Sequence, residues 1–550
     1  MKKNVKQIFA LSIAAAMLLT GCGDGKGSAG KSKDADKLTE KGTYPIVKEG
    51  EEVKLSIFAP LRAGIQSYET QDNAFTKWIE DKTGLDLDWQ VVPLADRQTK
   101  LNLFMTGGTY PDVILDHYWS PSEQLLYGEQ GAIIPLQDLI AEYGPNIQKA
   151  LDDNPLVKNN LVMEDGNIYS IPTVGAAQHM QCAKKMWINQ TWLDNLGLEM
   201  PQTTEDFYNV LKAFKEKDAN GNGDPNDEVP MSGSLTGWNT DTMEALMNSF
   251  VYYDKGKNSL FVKDGKVVFS KNTDEWKDGL EYMNKLYSEE LIDPLYFSQN
   301  ADELKKLANA PDAAKVGVCG GGSIGAFIQL GDSDRWLEYA AMPPLEGPKG
   351  VRNSIYMPNY GDPVLSITDK CANPEVVIRL FDLMFTEEGF MGNHTGVKGT
   401  DYVDATDDMV NVVGEKPRFE RLTNDAEREG RYWNQLGPWY RDPEFELWFN
   451  ANPDGDIEAT LYNATVDCYL PYIPAVENLI PPLSFGKEDS RILVDIQTAM
   501  NVSVDEATAA FVTGTRSLDE WDAYKATVEE LGIKEYIDVY QKALDAKNKK

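Results

Sequence analysis

The chain has 550 residues, of which 42% are hydrophobic, and a formal net charge of −34 from 87 acidic and 53 basic residues. A chain of this length can bury two substantial hydrophobic cores. Its negative charge repels nucleic acid and anionic lipid, which argues against a DNA-binding or surface-adsorbed protein.

The N-terminus has the pattern of an export signal. A basic end, MKKNVK, precedes an apolar run at 8–19 that is too short to span a bilayer as a permanent helix. Residues 1–21 are therefore predicted to be a signal peptide. The following LTGC resembles the lipobox of bacterial lipoproteins, which implies that Cys22 carries a lipid and begins the mature chain.

Residues 22–51 are predicted to form a flexible tether, because they consist mainly of Gly, Ser, Lys, Asp and Glu. Within them, GKGSAGKS at 25–32 matches the phosphate-binding P-loop pattern letter for letter. A P-loop requires a buried strand before the glycines and a helix directly after them, and neither flanks this segment. It is therefore interpreted as a spacer.

From residue 53 onward, strand and helix patterns alternate, which predicts an α/β chain with mainly parallel strands. The N-terminal part predicts strands at 53–58, 85–92 and 113–115 and a helix at 74–82. Thr203 and Asp206 form a capping-box pattern before a helix at 204–217. Ser517 is predicted to cap the first of two C-terminal helices.

Several segments resemble, in order, a known family. TGGTYPDVIL, EQGAIIPLQDLI, MWINQTWLDNLGLEMPQTTEDF, NPEVVIRLFDLMFTEEG and FVTGTRSLDEWDAYKATVEELG are similar to the lipoprotein-type extracellular solute-binding proteins (family 1) of bacterial carbohydrate ABC transporters, which include maltose-binding protein. The similarity covers about residues 53–545.

The resemblance implies a two-lobed periplasmic-binding-protein-like fold of type II, with an interlobe cleft and hinge crossovers. By this resemblance, one lobe comprises 52–175 plus 348–393, and the other comprises 176–347 plus 394–550.

The implied function is a monomeric, lipid-anchored receptor on the extracellular face of the cell membrane. It would capture an oligosaccharide between its lobes and deliver it to ABC permease subunits, without acting as an enzyme. A receptor for a peptide or another solute is an alternative, because a fold does not fix its ligand. An exported carbohydrate-active enzyme is a second alternative.

Candidate ligand-binding residues combine aromatic and polar side chains near predicted strand ends, as sugar binding requires. They are Arg62, Asp116, His117, Tyr118, Trp119, Trp238, Asn239, Ser323, Tyr360, Asp362, Trp439 and Tyr440. Core packing is the alternative for each aromatic residue. Three other tryptophans, Trp187, Trp192 and Trp521, are assigned to the core, since they lie in packing segments of the family.

The segment VGVCGGGSIGAF at 316–327 fits two enzyme motifs, a hydrolase nucleophile elbow at Ser323 and a dinucleotide fingerprint. An elbow requires a downstream histidine, and His394 alone follows Ser323. The dinucleotide motif requires a βαβ unit that the following sequence does not supply. Glycines that let the backbone approach a solute are the preferred interpretation.

The segment DANGNGDPNDEVP at 218–230 resembles an EF-hand calcium loop, with hard oxygen ligands at alternate positions and a glycine at the bend. It predicts a structural Ca²⁺ ion held by Asp218, Asn220, Asn222, Asp224, Asp227 and Glu228. Glu228 stands one position earlier than the glutamate of the EF-hand pattern. A solvated Asn/Gly turn is the alternative interpretation of the segment. The pairing of Cys182, Cys319, Cys371 and Cys468 is left open.

Overall fold

The computed structural model describes residues 33–62, 64–330, 334–451 and 456–549. The predicted signal peptide, Cys22 and the GKGSAGKS segment lie outside these ranges. Within them, no helix is both long enough and apolar enough to cross a membrane. The four cysteines of the described chain are free thiols.

The strands form two larger sheets and two hairpin-like pairs. In chain order they are β1 (Lys54–Leu61), β2 (Asp86–Pro93), β3 (Val113–Leu115), β4 (Ile171–Pro172), β5 (Lys185–Asn189), β6 (Val229–Met231), β7 (Leu260–Lys263), β8 (Lys266–Phe269), β9 (Val316–Gly321), β10 (Tyr339–Met342), β11 (Pro363–Ile367), β12 (Tyr402–Asp404) and β13 (Phe419–Arg421). The predicted strand at 113–115 is confirmed, and the other two predicted strands are β1 and β2.

The helices pack around the two larger sheets. Those up to residue 250 are α1 (Ala74–Thr83), α2 (Arg97–Gly107), α3 (Pro121–Glu129), α4 (Gln137–Tyr143), α5 (Pro145–Asp153), α6 (Pro155–Leu161), α7 (Gln190–Leu196), α8 (Thr204–Glu216) and α9 (Thr242–Met247). Those that follow are α10 (Asp274–Ser288), α11 (Ala301–Ala308), α12 (Pro374–Asp382), α13 (Glu387–His394), α14 (Ile457–Asn463), α15 (Lys487–Thr513), α16 (Trp521–Glu530) and α17 (Ile533–Lys547).

Local sequence signals explain several helix boundaries. The Thr203 side chain accepts a hydrogen bond from the backbone of Asp206, whose carboxylate accepts one in return, so the predicted capping box of α8 is confirmed. The Asn73 side chain caps α1 by accepting hydrogen bonds from the backbone of Phe75 and Thr76, and Gly84 ends that helix in the left-handed conformation. Ser517 caps a 3-10 turn that leads into α16.

The first sheet has the strand order β2-β1-β3-β11-β4, and the second has the order β10-β5-β9-β6. β1 is parallel to β2 and β3, whereas β11 runs antiparallel to both of its neighbours. In the second sheet, β6 and β9 are parallel and β5 is antiparallel to β9. Each sheet is the centre of one lobe, and the fold is the type II two-lobed fold that the family resemblance implies.

Separate hydrophobic cores surround the two sheets. The first contains β1, β3 and helices α1, α4, α5 and α12. The second and third contain β5, β9, helices α7 to α11 and helices α14 to α17. Trp187, Trp192 and Trp521 are at most 4% exposed within these cores, which confirms their assignment.

The predicted lobe boundary at residue 394 is wrong for much of the segment that follows it. Phe419, Trp433 and Phe445 belong to the core of the first lobe, and Trp433 Nε1 donates a hydrogen bond of 2.8 Å to Thr76 Oγ1 of α1. Leu461 in α14 packs with the second lobe. The chain therefore returns to the second lobe between residues 449 and 457, so that residues 402–449 extend the first.

The predicted tether is too long, because its second half is folded onto the first lobe. Leu38, Ile46 and Val47 are buried in the first core. Arg379 of α12 donates hydrogen bonds of 2.7 to 3.1 Å to Thr39 and to backbone oxygens of the same segment. Three apolar side chains and one guanidinium group thus fix a segment whose composition resembles a linker.

Candidate functional site

Polar side chains line one edge of the first sheet. β1, β3 and β4 end at the edge where the antiparallel strand β11 begins. Arg62 follows β1, Asp116 and Tyr118 follow β3, and Asp362 precedes β11. The topology therefore brings together residues that are up to 300 positions apart.

The second sheet presents a corresponding edge. β6 and β9 end where the antiparallel strand β5 begins. Trp238 and Asn239 lie in the loop after β6, and Ser323 follows β9. The segments 173–184 and 343–362 connect this edge to the edge of the first sheet, so the two edges border one interlobe cleft.

Arg62 is the centre of a hydrogen-bonded group at the first edge. Its Nη2 donates to Asp116 Oδ1 at 2.8 Å, to the Tyr118 hydroxyl at 3.1 Å and to the backbone oxygen of Gln435 at 3.1 Å. Arg97 donates to the backbone oxygen of Asp116 at 2.9 Å, and its guanidinium lies 5.3 Å from the Tyr118 ring centre. Two cations thus hold the tyrosine at the cleft surface.

Asp116 lies beneath this group and is fully buried. Burial raises the pKa of its carboxyl to about 6, although Arg62 and Arg97 act in the opposite direction. Its φ of 56° places it in the left-handed region, which is uncommon for a residue other than glycine. Asp116 therefore positions the Arg62 guanidinium rather than lining the cleft itself.

Asp362 is exposed in the cleft at the start of β11. The surrounding walls nevertheless desolvate its carboxyl and raise its pKa, an effect that Lys257 and Arg62 partly offset. Lys257, from the second lobe, lies 6.0 Å from the ring centre of Tyr360 in the connecting segment. Lys257 was missed from the sequence, because it precedes β7 in a turn with no recognisable motif.

Trp238 is the most exposed aromatic candidate, at 48%. Its backbone oxygen accepts a hydrogen bond of 3.2 Å from Gly322, and a Cβ atom at Gly322 would lie 2.7 Å from its ring. Gly322 of VGVCGGGSIGAF therefore makes room for the indole ring of Trp238. This contact explains the glycine without a solute that approaches the backbone there. Asn239 donates to the backbone oxygen of Ala183 at 3.1 Å, which joins this loop to a connecting segment.

The structure corrects several predicted ligand contacts. His117, Trp119, Ser323 and Trp439 are at most 9% exposed. Trp119 packs in a small core with Phe58 and Ile114, and Trp439 belongs to the core of the first lobe. Tyr440 is half-buried beside the segment at 173–184.

Ser323, in the segment that fits the nucleophile-elbow motif, has no hydrogen bond to a histidine in the described part of the chain. Ser323 Oγ accepts a hydrogen bond of 3.2 Å from the backbone of Gly325, which caps a short 3-10 turn. His394 is enclosed in the first lobe, where its Nε2 lies 3.1 Å from Arg441 Nη1. Burial and the adjacent guanidinium lower the pKa of His394, so the imidazole is neutral and committed to this structural contact.

The EF-hand-like loop is compact and held by its own polar groups. Asp218 accepts from the backbone of Asn222 at 3.0 Å and of Gly223 at 2.9 Å, and Asn222 Oδ1 accepts from the backbone of Asp224 at 2.8 Å. Gly221 and Gly223 have φ values of 72° and 93°, so they make the sharp bend. The loop thus has the backbone shape that a calcium loop requires.

At the acidic end of the loop, one carboxylate oxygen accepts no hydrogen bond within the described residues. Glu228 Oε1 accepts from the backbone of Ala219 at 2.9 Å, and its buried Oε2 has no partner in the described part of the chain. Asp227 accepts from the amides of Asn220 and Asn222 at 2.9 and 3.0 Å. No group of three or more acidic, histidine or cysteine side chains that could hold a metal occurs within the described ranges.

Two lobes joined by connecting segments, with polar groups on both edges of the cleft between them, are the arrangement of a solute-binding protein. Residues 66–389 match the model of the bacterial extracellular solute-binding protein family. The chain belongs to this family, in agreement with the family resemblance.

Individual relatives extend this comparison. The chain is 28% identical to the fructooligosaccharide ABC transporter substrate-binding protein FusA of Streptococcus pneumoniae serotype 4, over 99% of this chain and 98% of that protein. It is also 28% identical to lipoprotein LipO of Bacillus subtilis, over 72% of this chain and 73% of the relative.

Solved structures show the same fold. FusA in complex with kestose has a TM-score of 0.69 and 25% identity, covering 90% of this chain and 99% of that one, and an EF-hand mutant of FusA has also been solved. A solute-binding protein associated with an HMO-binding ABC transporter from Bifidobacterium longum infantis has a TM-score of 0.75 and 23% identity, with the same coverage.

Proposed function

We propose that this protein is an extracellular receptor that captures an oligosaccharide in the interlobe cleft and delivers it to an ABC permease. The observation that carries the proposal is the pairing of Arg62 and the 41% exposed Tyr118 on one cleft edge with exposed Trp238 on the other. Similarity to FusA along nearly the whole chain supports the same class of solute.

The cleft chemistry suits sugars. Aromatic faces pack against the C–H surfaces of a sugar ring, and guanidinium, amide and carboxylate groups hydrogen-bond its hydroxyls. Tyr118 and Trp238 supply the first kind of contact, and Arg62, Asn239 and Asp362 supply the second. A solute that contacts both edges stabilises the closed form by its higher affinity for that form.

Isothermal titration calorimetry against neutral oligosaccharides, uronate oligosaccharides and peptides, followed by product analysis of each mixture, tests the proposal. We expect binding of at least one oligosaccharide with no product formed. Release of new reducing ends would identify a carbohydrate-active enzyme. Binding of peptides alone would identify a receptor for another class of solute.

We further propose that Cys22 is lipidated and holds the receptor at the extracellular face of the membrane as a monomer. The LTGC pattern and the similarity to lipoprotein LipO support this anchor. A Cys22→Ala variant is then expected in the culture medium instead of the membrane fraction, with its solute affinity unchanged.

The 218–228 loop is proposed to bind a structural Ca²⁺ ion. Its residues fit that ion, because Asp218, Asp224 and Glu228 supply hard carboxylate oxygens and Glu228 Oε2 is buried without a partner. Rotation of the Asn220 and Asn222 amides would turn their oxygens toward the ion. The proposal is supported by a solved structure of FusA that is an EF-hand mutant.

A further inference from the structure

A second cavity lies between the lobes, and none of the predicted ligand residues lines it. Its volume is about 390 Å³. The first lobe contributes Asn159, Asn160 and Glu164, and the second contributes Ser484, Lys547 and Asn548. This volume falls within the range of ligand pockets, about 300–1,000 Å³.

Two residues of the cavity lining are linked to segments that border the cleft. Asn160 Nδ2 donates a hydrogen bond of 3.1 Å to the backbone oxygen of Tyr360, the residue whose ring faces Lys257. Pro121, another lining residue, begins α3 only three positions after Tyr118. The cavity therefore lies beside the two segments that carry Tyr118 and Tyr360.

The lining groups match sugar hydroxyls. Amide and hydroxyl side chains both donate and accept hydrogen bonds, and the cavity has one lysine and one glutamate, so its lining carries no net charge. Val162, Pro482 and Ala543 supply apolar surface between them. Lys547 Nζ already donates to Asn160 Oδ1 at 3.0 Å and to the backbone oxygen of Pro482 at 2.9 Å.

Direct contacts between the lobes frame the cavity. Ser122 Oγ donates to the backbone oxygen of Phe485 at 3.2 Å and accepts from its N–H at 3.0 Å. The Lys547–Asn160 bond also joins the two lobes. A molecule in the cavity thus contacts both lobes and stabilises the arrangement in which these contacts form.

We propose that this cavity is a subsite of the solute cleft, and that it holds the distal sugar of a neutral oligosaccharide too long for the cleft alone. The inference rests on the proposed function and adds a preference for chain length. Longer oligosaccharides then bind more tightly than the shortest ligand, because only they reach the amides of Asn159 and Asn548.

Calorimetry with one homologous series of neutral oligosaccharides, from trisaccharide to hexasaccharide, tests the subsite. The wild type is expected to gain roughly fivefold or more in affinity with length, about the effect of one or more hydrogen bonds. Ser484→Trp fills the cavity and should abolish this gain, with the affinity for the shortest ligand kept within about twofold. Ser288→Trp, on the exposed end of α10, is the matched control and should keep the gain.

The milder Asn159→Ala variant removes one hydrogen-bonding group and should reduce the gain even if Ser484→Trp does not fold. The subsite would be overturned if both variants kept the full gain in affinity with oligosaccharide length. It would also be overturned if the wild type showed no such gain, or if the variants lost the same affinity at every length. Failure of the wild type to bind any oligosaccharide would instead overturn the proposed function and the subsite with it.

Discussion

At the scale of single residues, Trp238 is the side chain on the second edge whose exposure suits a sugar face. Trp238→Ala is expected to weaken oligosaccharide binding by about tenfold, or about 1.4 kcal/mol, because a stacking surface is lost. Trp238→Phe keeps an aromatic face and should restore most of the affinity. Calorimetry would contradict this role if both variants bound like the wild type.

The buried carboxyl of Asp116 makes a separate prediction about stability and pH. Its folded pKa of about 6 lies above the unfolded value of about 3.9, so between these values the folded state holds a proton that the unfolded state has released. The contribution of Asp116 to the free energy of unfolding is thus fully present below pH 4 and is lost as the pH rises through 6.

Relative to Asp116→Asn, the wild type is expected to lose up to about 3 kcal/mol of unfolding free energy between pH 4 and pH 7. Urea unfolding of both proteins at each pH measures this difference, in which the other ionisable groups cancel. A difference that stays constant with pH, or one that grows in favour of the wild type, would show that Asp116 is not held in a desolvated site.

The sequence could identify which loops reach the cleft, but not which aromatic residues of those loops are exposed. Tyr118 and Trp119 are neighbours, yet one is 41% exposed and the other 2%. Alternation along the chain allows either orientation, and packing of Met163 and Tyr169 against Trp119 decides it. The distant cation Lys257 could not be predicted, because only the tertiary fold brings it beside Tyr360.

At the scale of elements, the connecting segment at 173–184 depends on close contact with a distant strand-like segment. Val174 donates to the backbone oxygen of Trp439 and accepts from the backbone of Arg441, both at 2.8 Å. Gly175 has a φ of 93°, and a Cβ atom there would overlap the Arg441 carbonyl oxygen. Only glycine allows this approach at that conformation.

Gly175→Ala is therefore expected to lower the free energy of unfolding by about 2–4 kcal/mol, from backbone strain together with overpacking. Gly166→Ala is the matched control, since Gly166 has a φ of 85° but open space around it, and it should cost only about 1 kcal/mol. Equal midpoints for the two variants in urea unfolding would rule out the close contact.

The 218–228 loop is the element on which the calcium proposal depends. Excess EDTA is expected to lower the thermal unfolding midpoint, since a ligand at 100 times its Kd stabilises the folded state by about 2.7 kcal/mol. Asp218→Ala should unfold at the lower midpoint with or without EDTA. Identical curves for the wild type in both conditions, with no calcium found by elemental analysis, would contradict a bound ion.

Elements with strong local signals could be predicted closely. The helix predicted at 204–217 is observed as Thr204–Glu216, since a capping box and one apolar face specify it locally. Residues 33–51 could not be assigned in this way, because the partner that fixes them, Arg379, is more than 300 positions away.

At the scale of the whole molecule, the family resemblance predicted two lobes correctly but placed the last crossing too early. Residues 402–449 contribute buried aromatic side chains to the first lobe, whereas the segment from α14 onward builds the second. Hydrophobic periodicity along a chain indicates that one face of an element is buried, but it does not indicate which of two cores that face joins. The division between lobes therefore follows from tertiary contacts alone.

The central claim is that an oligosaccharide lies between the two sheet edges and contacts both. A crystal structure of the protein with an oligosaccharide selected by calorimetry tests it most directly. We predict density for the sugar beside Arg62 and Tyr118 on one side and Trp238 on the other. Density confined to the surface of one lobe, with the interlobe cleft empty, would contradict the account.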